Sequence, residues 1–164
     1  MDFSTYDKKE LLLAAIKSEI DSNCVYAKLA SYVKNGLMKD KFKFLAEEEK
    51  KHQEFLENIY DKEFPDAKRI IPTVSPVPLP EVSIPEDEEI QLSNVLQQAM
   101  NAEEAAAEFY LFLATQFDDK DIQHMLHYFS DMEQGHYRVL EQEKKSMEWF
   151  EQADVYWPMI HAGP

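Results

Sequence analysis

The chain has one cysteine, Cys24, and three glycines in 164 residues. A lone thiol excludes an internal disulfide framework and any zinc site built from several thiolates, and it fits a reducing compartment. So few glycines argue against a turn-rich all-β fold. Basic residues are also scarce: 17 Lys and Arg against 32 Asp and Glu leave a net charge of −15. Phosphate backbones need a basic surface, so nucleic acid is excluded as a partner class, and an anionic membrane surface with it. No apolar run approaches the ~18 residues that cross a bilayer. The run Leu11 to Ile16 is six residues long, with Glu10 before it and Glu19 after it, too short and too acidic for a secretory signal. A cytoplasmic location is expected.

What is present is a chain 45% apolar and 30% charged, enough to bury one core. Four proline-free segments carry helical periodicity. The first runs from about Tyr6 to Lys34, with a cap expected at Ser4 or Thr5 and a stop at Asn35-Gly36. The second covers about Leu37 to Lys62. The third opens near Glu86, after Pro85, where acids at 86–89 suit a helix N-terminus, and continues to about Gln116. Asp118-Asp119 makes the next break, and the fourth runs to about Gln152. Each is about 25 to 34 residues, or ~38 to 50 Å. Between the pairs, Phe64 to Pro85 holds six of the eight prolines, which excludes helix and central strand. The expected fold is all-α: an antiparallel four-helix bundle over residues 1–153, with a long Pro-rich crossover at about 63–85 and an apolar tail at 154–164.

Shifting the chain by 84 positions lays it on itself without a gap from residue 15 to residue 56. Glu19 falls on Glu103, Tyr26 on Tyr110, Glu49 on Glu133 and His52 on His136. Leu29-Ala30 falls on Leu113-Ala114, and Phe44-Leu45 on Tyr128-Phe129. The second helical hairpin is therefore a copy of the first.

The repeated polar residues sit on apolar faces. Glu49 and His52 are three apart, so both side chains leave one face of a helix, and Glu133 with His136 does the same. Leu12, Ala15, Ile16, Tyr26 and Val33 flank Glu19, while Leu45, Phe55 and Leu56 flank the Glu49–His52 pair. Unpaired charges inside a bundle cost several kcal/mol each, even at order-of-magnitude precision, and no Lys or Arg lies at matching depth. Two divalent cations would neutralise four carboxylates. Imidazole with carboxylate suits iron or manganese, and zinc also fits. One Glu from each of two helices with Glu-x-x-His from each of the others is the two-metal site of ferritin-like bundles.

With Tyr26 and Tyr110 added, the pattern resembles the rubrerythrin branch of the ferritin-like superfamily over about residues 6–152. The resemblance implies that Glu49 and Glu133 bridge two irons, that Glu19 and Glu103 are terminal ligands, and that His52 and His136 each bind one metal. Tyr26 and Tyr110 would orient carboxylates. It implies oxidation of Fe²⁺ by hydrogen peroxide or dioxygen, and a homodimer or larger homo-oligomer. The chain departs from the family twice. The paired Cys-x-x-Cys motifs of a rubredoxin module are missing, so electrons must come from a separate donor protein or from Fe²⁺ itself. The extra glutamate usual three residues after the third-helix ligand is Ala106 here. The symmetric ligand set that remains is closer to bacterioferritin and places ferroxidase chemistry beside peroxidase chemistry. An iron carrier without turnover and a structural bundle with a vestigial site are the alternatives.

Other residues read more plainly. His124 and His127 fall on Asp40 and Lys43 in the repeat, which places them on the outer face. His161 has no partner by sequence. Cys24 reads as a buried inert thiol. Gly135 permits close helix approach or is a neutral surface glycine. The tail from Val155 to Ile160 docks on its own bundle or on a partner chain.

Overall fold

The computed structural model of the chain describes residues 3–84 and 92–160. Among the described residues, four helices account for the architecture: α1 (Lys8–Tyr32), α2 (Gly36–Glu63), α3 (Leu92–Ala114) and α4 (Lys120–Ile160). No strand occurs among the described residues. The α1 cap is Asp7, not Ser4 or Thr5. Asp7 accepts from the Glu10 amide at 2.8 Å and Glu10 accepts from the Asp7 amide at 3.0 Å, a reciprocal capping box. Asn35 caps the start of α2 through the Met38 amide at 3.1 Å. Gly36 is already helical, and no glycine in the described residues has positive φ. The Asn35-Gly36 pair therefore starts α2 and does not close α1 through a left-handed turn. Asp119 caps α4 by accepting from the Asp121 and Ile122 amides at 2.9 and 3.3 Å. The expected onset of α3 near Glu86 lies outside the described residues. The fourth helix runs past Gln152 to Ile160; nothing in Ala153 to Trp157 breaks a helix, and the tail read as following the bundle is in part its continuation.

Cross-helix contacts fix the topology. Lys8 meets Glu63 and Asn23 meets Ala46, so α1 and α2 are antiparallel. Gln97 meets Lys144, so α3 and α4 are antiparallel. Tyr26 meets Glu103, while Glu19, seven residues earlier, meets Tyr110, seven residues later; α1 and α3 also run in opposite directions. Lys41 with Glu143 and His52 with Glu133 show the same for α2 and α4. It follows that α2 and α3 are parallel, and the chain between them must travel the length of the bundle. It does so docked. Val77 is fully buried with Leu11, Leu12, Leu56 and Tyr60, and Ile71 and Leu79 pack on that group. Further along, Val82 and Ile84 pack on the opposite end with Tyr26, Leu29 and Leu96. Arg69 ties the start of the crossover to Glu57 and Asp61 at 3.0 and 2.7 Å.

The core is thus two apolar clusters, one toward each end. Burying each Leu in them contributes about 1.5–3 kcal/mol, and Leu12→Ala would cost about 2–5 kcal/mol. The polar residues of the repeat lie between the clusters, at mid-height. No described helix is long and apolar enough to cross a membrane.

Candidate metal centre

All six candidate ligands converge. Glu19, Glu49, His52, Glu103, Glu133 and His136 are each 1–4% exposed. The inward face of each helix explains why: Glu19 follows Leu12, Ala15 and Ile16 on α1, and Glu133 with His136 lies between Phe129 and Leu140 on α4. Two sets of donor atoms fall within 4.8 Å of one another: Glu19, Glu49, His52 and Glu133, and Glu49, Glu103, Glu133 and His136. Glu49 and Glu133 belong to both sets. The imidazoles face each other with ring centroids 5.9 Å apart. His52 Nδ1 lies 2.9 Å from Glu133, 3.3 Å from Glu49 and 3.5 Å from Glu19. His136 Nδ1 lies 2.9 Å from Glu133, 3.1 Å from Glu49 and 3.7 Å from Glu103.

Tyr26 and Tyr110 complete a pseudo-twofold arrangement. Tyr26 on α1 donates to Glu103 on α3, and Tyr110 on α3 donates to Glu19 on α1. Each phenol thus holds the carboxylate of the other hairpin. Burial pushes both hydroxyls well above the usual tyrosine range, reinforced by Glu103 beside Tyr26 and by Glu19 beside Tyr110, so both remain donors.

The protonation of the metal-free centre shows how crowded it is. Burial, then the neighbouring Glu49, raises the Glu19 carboxyl well above its usual range; burial, then Glu133, does the same for Glu103. Burial disfavours a charged His52, yet the Glu133, Glu19 and Glu49 carboxylates outweigh it and push the imidazole up to about 12. His136 is raised in the same way, against burial, by Glu103, Glu133 and Glu49. Burial opposes its charge, yet Glu133 is held far below the carboxylate range by its hydrogen bond with His136 and by the close His52 imidazole. Protons on the imidazoles occupy the electrostatic role that cations would fill.

The donor atoms fit a metal pair better than they fit one another. Both oxygens of Glu49, Oε1 of Glu133 and both ring nitrogens of His52 are buried without a hydrogen-bond partner. His52 Nδ1 and Glu133 Oε1 are close but misaligned for a hydrogen bond. Buried orphaned donors and acceptors that point at common space are the signature of ligands for an ion. One contact was not foreseen from sequence. Phe129 lies on the His52 ring at 4.2 Å, and Leu45 is its equivalent in the other copy of the repeat. The place of Phe129 one turn before Glu133 was the available signal.

The outlying residues divide. His124 and His127 are exposed, as the repeat implied. Cys24 is also exposed, which corrects the reading of a buried thiol: it lies outside the apolar stripe of α1. A Cβ at Gly135 would meet no atom within 4 Å, so close helix approach is not its role. His161 lies outside the described residues.

An up-down-down-up helical bundle with a mid-height carboxylate–imidazole cluster defines the ferritin-like class. Within that class, the sequence model described as Rubrerythrin matches residues 10–144. The chain belongs to the rubrerythrin family, a family of ferritin-like di-iron domains. It is similar to a solved structure of a hypothetical protein from Pyrococcus furiosus, with 35% identity, a TM-score of 0.80, and coverage of 90% of this chain and 95% of that one. A comparison with curated proteins gives no match.

Proposed function

We propose that the chain holds two iron ions and oxidises the Fe²⁺ pair with hydrogen peroxide or dioxygen. The observation that carries this is the sharing of Glu49 and Glu133 between two donor sets, with three of their four oxygens orphaned in burial. In this reading Glu49 and Glu133 would be shared by the two ions, while Glu19 with His52 and Glu103 with His136 would each serve one of them. Four carboxylates and two divalent cations balance in charge, with the imidazoles neutral. When bound, an iron pair would supply two electrons together to the oxidant, one from each Fe²⁺. The protein supplies position and charge. Tyr26 and Tyr110 orient the terminal carboxylates, and the two apolar clusters keep bulk water from the centre. Electrons for repeated turnover come from a separate donor protein or from further Fe²⁺.

The test is elemental analysis after anaerobic Fe²⁺ loading and desalting. Two irons per chain are expected, with none in Glu49→Ala and about one in Glu19→Ala. Rapid mixing of the loaded protein with peroxide or dioxygen then identifies the oxidant. Retained iron that neither oxidant turns over would leave an iron carrier. Failure to retain iron, manganese or zinc would leave a structural bundle.

A further inference from the structure

The repeat doubles the candidate ligands but not the side chains that support them. Phe129 lies on the His52 ring, with centroids 4.2 Å and planes 32° apart. The same phenyl ring meets Tyr110 edge-on at 5.6 Å and Phe55 edge-on at 5.2 Å. Tyr110 is the phenol that donates to Glu19. One side chain therefore touches His52 and also the residue that holds Glu19. Those two ligands belong to one donor set alone, while Glu49 and Glu133 are common to both sets. In the other copy, Leu45 and Val139 are the equivalents of Phe129 and Phe55. Among the described residues, the only ring packed on His136 is His52, at 5.9 Å.

The two imidazoles also differ in what an ion would displace. His136 Nδ1, the nitrogen that faces Glu49, Glu103 and Glu133, donates to Glu133 at 2.9 Å. An ion there replaces a hydrogen bond. Both ring nitrogens of His52 are buried without one. Their desolvation is already complete in the folded chain, so an ion that meets them breaks nothing. A ring held by a packed neighbour also loses less freedom on binding than a ring without one. Both effects favour the same donor set.

We propose that the two metal positions are unequal, and that Phe129 makes the Glu19–His52 position the tighter one and the first to fill. This ranking rests on the di-iron reading. Phe129 acts through His52 and Tyr110, as a positioning residue.

Two steps in a metal titration would not suffice as a test, because the first ion repels the second even at identical positions. Single-position variants remove that repulsion. His136→Ala keeps the Glu19–His52 set intact, and His52→Ala keeps the Glu103–His136 set. Each retains four carboxylates and one imidazole, so the charge is the same. The first Co²⁺, measured by competition with a coloured chelator, is expected to bind at least about tenfold more tightly in His136→Ala than in His52→Ala. Phe129→Leu, which installs the residue of the other copy, should then weaken Co²⁺ binding in the His136→Ala background and leave it unchanged in the His52→Ala background. Should Phe129→Leu fail to fold, Phe129→Met keeps most of the volume without the flat ring and carries the same expectation. Equal affinities in the two histidine variants, or the reverse order, would overturn the ranking. Equal losses in both backgrounds would reduce Phe129 to a packing residue and overturn its role. A wild-type chain that holds fewer than two ions at saturation would instead overturn the di-iron reading.

Discussion

Tyr26 and Tyr110 carry a residue-level consequence of the repeat. Each phenol crosses from one hairpin to the carboxylate of the other, so each couples the folding of one copy to a ligand of its twin. Removing the hydroxyl leaves a buried carboxylate oxygen without its donor, and loss of such a partner typically weakens metal affinity about 10- to 100-fold. Tyr26→Phe and Tyr110→Phe should therefore both retain two metals at saturation and both bind them more weakly. Competition with a coloured chelator reads the affinity. A drop confined to one variant would show that the two halves are not functionally equivalent. An asymmetry does exist nearby, because Phe129 lies on His52 whereas Leu45 occupies the matching place in the other copy.

At the scale of the helix, caps and glycines decide smaller energies. Asp7 and Glu10 satisfy each other's amides, and Asp7→Ala should lower stability by about 1 kcal/mol. Gly135 sits inside α4 with open space where a Cβ would point. Alanine there gains helix propensity and meets no clash, so Gly135→Ala should raise stability by about 0.5–1 kcal/mol; chemical denaturation of both variants checks the pair. The same elements show what was legible in advance. The helices, the hairpin repeat and the convergence of Glu19, Glu49, His52, Glu103, Glu133 and His136 could all be read from period and spacing, because a buried helix face imposes both on the sequence. Helix ends could not be read as well. Ser4, Thr5, Asp7 and Asn35 are all acceptable caps by type, and only the path of the chain selects Asp7 and Asn35. Cys24 was misread for a related reason: its residue type favours burial, but its position on α1 faces away from the apolar stripe.

For the whole molecule, the buried cluster ties stability to pH and to metal. In the metal-free protein the folded His52 is raised from 6.5 to about 12, and His136 is raised as well. A group raised on folding contributes stability that is complete below its unfolded value and lost as pH climbs toward its folded one. Glu19 and Glu103, raised above 4.5, act in the same direction. Glu133, lowered below 4.5, acts in the opposite one, and its contribution is lost only on acidification below that value. Above about pH 6.5, then, every shifted carboxylate and imidazole in the site either loses stability or is neutral, and the metal-free Tm should fall as pH rises to 9. Metal ions replace those protons, so their affinity rises with pH and they stabilise the folded state by mass action. The gap in Tm between loaded and metal-free protein should widen between pH 6.5 and 9. The net charge of −15 repels itself in both forms, so the difference between the two melting curves isolates the centre from the surface. A gap that stays constant across this range would mean that the metal does not displace protons from His52 and His136, and would place it elsewhere on the molecule.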